Sequence, residues 1–200
     1  RSGMTVATNV NNNFVAADLD VLTGLKGDGS TKYIDTGALE SAVPQDDISM
    51  SVYVTERYNT YSLSISGLAG NNRTGLMVRS TNSGIVWNRG GTSSSFTCEA
   101  SPEFYGTSRD NGLDYDLQNG STLTTNTLTS GVAPNSLVNV FSAAGGIGKT
   151  PNRIATYHFG PALNLATLRS LQATLMSEVA AVKGAVAAAN YFARLDTAGD

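Results

Sequence analysis

Apolar and polar residues alternate in short runs over most of the first 160 residues. The clearest run is residues 49–54, where Met50, Val52 and Val54 fall on one face of an extended strand. Further runs of this kind are residues 61–66, 76–79, 85–87, 94–98, 103–105, 123–128, 137–141 and 154–159. Turn residues separate these runs about every 8 to 12 positions, which predicts an all-β fold, an antiparallel β-sandwich of the jelly-roll type.

The pattern changes after Pro161, so we divide the chain into residues 1–161, a sandwich with an extended N-terminal arm, and residues 162–200, a C-terminal helical segment. Within the second part, apolar residues recur at steps of three and four, as on one face of an α-helix. Asn164 is placed to cap the N-terminus of this helix, and Gly184 is expected to weaken or end it. The apolar positions are Leu165, Leu168, Leu171, Leu175, Val179 and Val182.

Two interpretations of this helix stay open at the level of sequence. In the first, its leucines dock on the edge of the sandwich. In the second, the helix is an assembly element, because its apolar steps average close to a heptad repeat and favour self-association around a three-fold axis. The few charges along the segment, Arg169, Glu178 and Lys183, supply little of the flanking charge pairing that a coiled coil uses.

Composition narrows the classes of partner. The chain has 13 Lys and Arg against 16 Asp and Glu, a net charge of −3, and only 14% of its residues are charged. Without a basic stripe we expect no nucleic-acid partner, and without a long uncharged apolar stretch we expect no membrane insertion. Cys98 is the single cysteine, which excludes an internal disulfide and a cysteine-based zinc site. We expect no cofactor and no metal.

No residue set predicts catalysis. Asp114 and Asp116 come nearest to a carboxylate pair for glycoside hydrolysis, but no Glu lies close to them, and we interpret them as turn residues. The only histidine, His158, lies in a strand and has no nucleophile motif to pair with. Residues 143–150 lack the first glycine and the following helix of a phosphate-binding loop. Asp46 and Asp47 are expected to stabilise a turn, with a calcium site as the less favoured alternative.

Ligand binding is better supported than catalysis, because two turn regions place aromatic rings beside amide and guanidinium groups. Such pairs suit sugars, whose faces stack on rings and whose hydroxyls bond to polar side chains. Trp87 also fits a core position, and Arg109 also fits a role in bracing a neighbouring loop through a carboxylate. The candidate ligand-binding residues are Tyr58, Tyr61, Trp87, Asn88, Arg89 and Arg109.

Several segments together resemble the concanavalin A-like, lectin-type sandwich domains of tailed-bacteriophage virion proteins. The resemblance is carried by residues 25–37, 44–54, 104–109, and 154–160 followed by 163–176. It implies a jelly roll of two antiparallel sheets with a helix after the last strand. It also implies a location in the virion, in a tail fibre, a tail-tip protein or another structural component.

Three functions follow as hypotheses. The first is a non-enzymatic tail fibre or tail-tip component that binds carbohydrate on the host surface. The second is a purely architectural virion protein, such as a capsid decoration protein. The third, a glycan-degrading depolymerase, is disfavoured because no carboxylate set has the expected spacing. The expected partners are other virion subunits and further copies of the chain, with a trimer favoured.

Overall fold

A computed structural model describes residues 10–59, 62–67, 73–80, 83–100 and 102–197, with side chains described up to residue 183. Within these residues the chain forms two antiparallel sheets of seven strands each, followed by one α-helix. The predicted fold class, an all-β sandwich with a C-terminal helix, is confirmed. We also find, within the described residues, no helical segment with the length and apolar content that a membrane span needs.

Sheet A joins strands that are far apart in the sequence, since β4 pairs with β13 and β13 with β6. In spatial order its strands are β1 (Val10–Asn12), β4 (Tyr33–Leu39), β13 (Leu137–Val140), β6 (Ile65–Ser66), β7 (Thr74–Val78), β8 (Gly84–Asn88) and β9 (Ser94–Phe96).

Sheet B contains the longest strands, with β5 at its centre between β10 and β14. In spatial order its strands are β12 (Thr122–Thr127), β11 (Asp114–Asn119), β10 (Glu103–Arg109), β5 (Ile48–Glu56), β14 (Arg153–Gly160), β3 (Gly24–Lys26) and β2 (Leu19–Asp20).

The core lies between the two sheets and uses the alternation predicted for β5. Met50, Val52 and Val54 are fully buried and point inward. They belong to one apolar cluster with inward residues of sheet A, among them Ile65 and Leu76. Burying large apolar side chains in this way is the dominant stabilising contribution to a sandwich.

The first turns of the helix α1 (Leu165–Thr197) pack on the outer face of sheet B. Leu165 is buried against Gly106, where an added Cβ would come within 3.1 Å of the leucine. Gln172 is also buried, and its Nε2 lies 3.5 Å from Ser51 Oγ on β5. Arg169 forms an ion pair with Glu103 at 3.3 Å. Small residues on the outer face therefore leave room for the helix to dock.

The six predicted apolar positions of α1 differ in how far they are exposed to solvent. Leu165 is buried against sheet B, so it follows the docking interpretation, although the contact is with the outer face of the sheet and not with the edge of the sandwich. Leu168 and Val179 are half-buried. The other three positions project into solvent despite being apolar. These are Leu171, 62% exposed, Leu175, 47%, and Val182, 63%.

The sequence made predictions about the two ends of α1 and about the N-terminal arm, and not all of them hold. Asn164 caps α1 as predicted, with its Oδ1 accepting a hydrogen bond from the Thr167 N–H at 2.9 Å. The helix continues through Gly184 to Thr197, so the expectation that it ends there was wrong, and a weakening of the helix at Gly184 stays a prediction. Of the arm, Val10–Asn12 forms an edge strand on β4, and residues 1–9 lie outside the described residues.

Two segments differ in strand structure from what the sequence predicts. Residues 114–119 form β11, although Asp114 and Asp116 suggested a turn. Their neighbours Tyr115 and Leu117 are buried, so the segment alternates as a strand does. In the run at residues 61–66, only Ile65–Ser66 is paired as a strand among the described residues.

Candidate functional site

Three of the six predicted ligand-binding residues lie inside the sandwich. Asn88, Arg89 and Arg109 are almost completely buried at the end where β8 faces β10. A buried polar or charged group needs partners within the fold, and all three have them. Their side chains therefore present no surface to a ligand, which corrects the expectation drawn from the sequence.

Arg109 braces its surroundings through carbonyl groups. Its Nε donates to Asn88 Oδ1 at 3.1 Å, and its Nη2 donates to the backbone oxygens of Asn88 and Leu128 at 3.0 and 2.7 Å. Its Nη1 donates to the Asn111 backbone oxygen at 3.2 Å. Asn88 Nδ2 in turn donates to Thr107 Oγ1 at 2.7 Å, which links the two sheets. The loop-bracing alternative thus fits Arg109, with carbonyls as acceptors instead of a carboxylate.

Arg89 holds the segment that leads into β5. Its backbone φ is 50°, an uncommon value for a residue other than glycine. Its guanidinium donates to the backbone oxygens of Glu40, Val43 and Pro44. Its Nε lies 3.9 Å from Glu40 Oε1, and both side chains are completely buried. These contacts fix the backbone between β4 and β5.

Glu40 is a carboxyl group enclosed in the protein. Burial, the largest influence, raises its pKa to about 7, although hydrogen bonds from Thr74 and the charge of Arg89 act in the opposite direction. The Thr74 backbone N–H donates to Oε1, whereas Oε2 has no hydrogen-bond partner among the described residues. The cost of desolvating the charge therefore exceeds the benefit of its neighbours.

Trp87 lies on the outer face of sheet A and is only 8% exposed. It packs in a small cluster with Leu63, Met77 and Ala143. The Arg73 guanidinium carbon lies 3.9 Å from the centre of the Trp87 ring, a cation–π arrangement. The ring is mostly covered by these neighbours, so the structure favours the core alternative for Trp87.

Tyr58 is the predicted ligand residue that keeps part of its surface open. The Lys26 ammonium lies 5.1 Å from the centre of the ring, and the hydroxyl donates to Glu56 Oε2 at 3.2 Å. The backbone N–H of Tyr58 donates to Asn152 Oδ1 at 2.8 Å. Tyr61 lies outside the described residues. The structure therefore does not gather the six predicted residues into one site.

A polar cavity of about 330 Å³ opens on the outer face of sheet B, next to the start of α1. It was not predicted as a site, although Asp114 and Asp116 were considered as a carboxylate pair. Three aspartates, two asparagines, one serine and one threonine line it together with a tyrosine, an alanine and a leucine. The lining residues are Ser108, Asp110, Asn111, Asp114, Tyr115, Asp116, Thr125, Ala162, Leu163 and Asn164.

Hydrogen bonds hold the walls of this cavity in place. Asn111 Oδ1 accepts from the backbone N–H groups of Leu113 and Asp114, which shapes the turn between β10 and β11. The Thr125 hydroxyl donates to Asp116 Oδ1 at 2.7 Å. On the other side, Ser108 Oγ accepts from the Leu163 N–H at 3.1 Å. The cavity is thus assembled from three strands (β10, β11 and β12), a turn and the approach to the helix.

Asp47 and Asp46 also have structural partners near this end. The Ala162 N–H donates to Asp47 Oδ1 at 2.7 Å, which anchors the segment before α1. The Ser130 hydroxyl donates to Asp46 Oδ1. Both contacts are structural, but they join distant segments of the chain, so stabilisation of the local turn by these residues stays a prediction. Among the described residues, we find no group of three or more His, Cys, Asp or Glu arranged to hold a metal ion.

His158 and Ser49 are hydrogen-bonded, but the proton is donated in the direction opposite to the one that catalysis by the serine would need. His158 Nε2 lies 2.8 Å from Ser49 Oγ, and the Ser49 hydroxyl donates to the Pro161 carbonyl oxygen at 2.6 Å. Because that carbonyl can only accept, the hydrogen between Nε2 and Ser49 belongs to the imidazole. His158 therefore donates to the serine and does not activate it. Burial lowers the pKa of His158, which favours the neutral ring.

Comparisons with known proteins leave the family open. No protein-family model matches the chain, and no curated protein matches it significantly.

We predict that Arg109→Met lowers the free energy of unfolding by about 3 kcal/mol, because it leaves the buried oxygens of Asn88 and Leu128 without a hydrogen-bond donor. Arg169→Met is the matched control. It breaks a partly exposed ion pair with Glu103 and is expected to cost less than about 1 kcal/mol. Urea unfolding of both variants measures the difference, and equal losses would contradict an internal role for Arg109.

We predict that Glu40 makes the folded state less stable as the pH rises. Its pKa is raised to about 7 in the folded protein from 4.5, so the folded state holds the proton more tightly than the unfolded state does. The contribution is complete below pH 4.5, is lost as the pH rises towards 7, and amounts to a few kcal/mol. Unfolding of wild type and Glu40→Gln across this range is the measurement. The two pH profiles should differ in slope there, and parallel profiles would refute the shift.

Proposed function

We propose that the chain is a non-enzymatic structural subunit of a tailed-bacteriophage virion, a tail fibre or tail-tip component that binds carbohydrate on the host surface. The location and the class of ligand come from the resemblance to lectin-type virion domains. The observation that carries the binding role is the polar cavity on sheet B.

The chemistry of the cavity suits a saccharide. Carboxylates such as those of Asp114 and Asp116 accept hydrogen bonds from sugar hydroxyls, and the Asn111 amide offers both donors and acceptors. Leu163 and Ala162 add apolar surface on one wall, against which the C–H groups of a sugar ring can pack. A volume of about 330 Å³ lies within the range of small-molecule sites.

The position of the cavity also supports this proposal. It lies at the end of sheet B where β10 turns into β11, so its walls are anchored on paired strands. Tyr58 lies beyond the other end of β5 and is a separate contact point. The ligand-binding role of Tyr58 and Tyr61 stays a prediction, as does the virion location.

The second candidate function is a purely architectural virion protein, such as a capsid decoration protein. The exposed leucines of α1 favour it, because an apolar stripe on a helix surface is typical of a contact with another subunit. The spacing of the exposed residues Leu171, Leu175 and Val182, at steps of four and seven, is compatible with association around a three-fold axis. Both candidates require assembly with other virion subunits.

We predict that Asp116→Asn weakens binding of a host-surface glycan by about tenfold, because it removes a charged acceptor from the cavity. Glu178→Gln, which removes a carboxylate from the exposed face of α1, should leave the affinity unchanged. A glycan array identifies the ligand, and titration calorimetry compares the variants.

Two outcomes would contradict this prediction. The absence of any array signal for the correctly folded chain would oppose carbohydrate binding. Release of oligosaccharide from the bound glycan, lost in Asp116→Asn, would replace binding by hydrolysis and revive the depolymerase hypothesis.

We predict that the double variant Leu171→Ser, Leu175→Ser folds normally but is not incorporated into virions. Both side chains are exposed, so the change should cost no more than about 1 kcal/mol in unfolding. Leu165→Ser is the control for folding, because this leucine is buried and its loss should destabilise the chain by about 3 kcal/mol. Quantifying the chain in purified particles gives the result, and normal incorporation of the double variant would argue against an assembly helix.

A further inference from the structure

Strand β12 is an edge of sheet B, since no other strand of the described residues pairs with its outer side. It has six residues and pairs along its full length with β11. The other edge strands in the described part of the chain are short: β1 and β9 have three residues each, and β2 has two. Short edges are one way in which proteins prevent pairing with other strands, and β12 lacks this protection.

The hydrogen-bond pattern shows which backbone groups of β12 face outward. The Leu128 N–H donates to the Leu113 oxygen, in register with the ladder between β11 and β12. In an antiparallel pair, hydrogen-bonded positions alternate, so Asn126, Thr124 and Thr122 bond to β11. The N–H and C=O groups of Leu123, Thr125 and Thr127 therefore point away from the sheet.

The ladder between β10 and β11 agrees with this assignment. The Gly120 N–H donates to the Phe104 oxygen, so alternate residues of β11, Asp116 and Gln118, bond to β10. The intervening residues of β11 are left to bond to β12. The outward-facing set on β12 is thus fixed by two independent contacts.

The side chains of β12 also lack the usual protection of an edge. The strand reads Thr-Leu-Thr-Thr-Asn-Thr, without a charged residue or proline. All of its residues except Asn126 are exposed, including Leu123 at 50%. Threonine is well suited to strands, and threonine pairs opposite each other across strands are favourable.

We propose that β12 pairs with β12 of a second copy of this chain, antiparallel and around a two-fold axis at Thr125. The outward-facing residues then match: Thr125 lies opposite Thr125 of the second copy, and Leu123 opposite Thr127. The three pairs form roughly six backbone hydrogen bonds and join two seven-stranded sheets into one. This contact surface is distinct from the exposed leucines of α1.

A second copy fits this edge because the edge is complementary to itself. Its uncharged side chains create no repulsion when the strand meets an identical one. The nearest acidic group on the same face, Asp116, lies on β11. The two Asp116 carboxylates of a pair are about three strand spacings apart, roughly 14 Å, which exceeds the screening length of about 8 Å in physiological salt.

Charge exchange at Thr125 tests the proposed register. Thr125→Lys places two ammonium groups opposite each other and should halve the mass of the wild-type assembly, measured by sedimentation across a dilution series. Thr125→Glu should do the same, and an equal mixture of the two variants should restore the wild-type mass. Thr125→Val, which keeps the backbone N–H, is the matched control and should retain it.

Proline substitutions test the backbone contact separately. Thr125→Pro removes an outward N–H, so it should halve the mass while the chain stays folded. Thr124→Pro removes an N–H that bonds to β11 and should destabilise the fold itself. A wild-type chain that is monomeric throughout overturns the proposal. So does an assembly that is insensitive to Thr125 and depends only on Leu171 and Leu175.

Discussion

The alternation of large and small side chains along β5 determines both faces of sheet B. Met50, Val52 and Val54 fill the space between the sheets, whereas Ser49 and Ser51 leave a shallow outer face on which α1 docks. A shift of one residue in the pairing of this strand would exchange the two sets. Serines would then enter the core, and large apolar side chains would push the helix away. The sandwich and the helix therefore depend on the same register.

The interior becomes polar at the end where β8 faces β10. The fold there depends on each buried polar group having a hydrogen-bond partner. Asn88, Thr107 and Arg109 form a chain of contacts across the two sheets, and Arg89 with Glu40 fixes the connection into β5. Each buried donor that loses its acceptor would cost more than a surface contact contributes. The guanidinium groups thus hold loops in place, and the cavity outside depends on those loops.

Period-two patterns explain why most of the fold could be predicted from the sequence. The inward positions of β5 follow from alternation alone, and the N-cap of α1 follows from the residue type of Asn164. Strand β11 was missed because its polar positions, Asp114 and Asp116, resemble a turn when its partners are unknown. Residue type shows which positions favour a strand, but pairing with β10 and β12 decides that residues 114–119 form one.

The candidate site was harder to predict, for a physical reason. Trp87, Asn88 and Arg89 are adjacent in sequence, but successive residues of a strand point to opposite faces. Trp87 therefore lies outside sheet A while Asn88 points to the interior, and local sequence cannot show which face is covered. The cavity could not be predicted for a different reason: its walls come from segments that are distant in sequence, such as residues 108–116 and 162–164. Only the tertiary structure brings them together.

The cavity and the proposed edge contact lie next to each other, so the proposed binding and the proposed assembly would be connected. Asp116 lines the cavity, and its hydrogen-bond partner Thr125 lies on the edge strand, at the position of the proposed two-fold axis. Pairing through β12 places two cavities on the same outer face of one continuous sheet. Two weak sites held at a fixed separation bind a repeating surface polymer far more strongly than one site does, without any new contact. If the chain has the proposed function, a polar cavity of this kind would then be sufficient for attachment, since the geometry of the pair would contribute what a single saccharide contact does not.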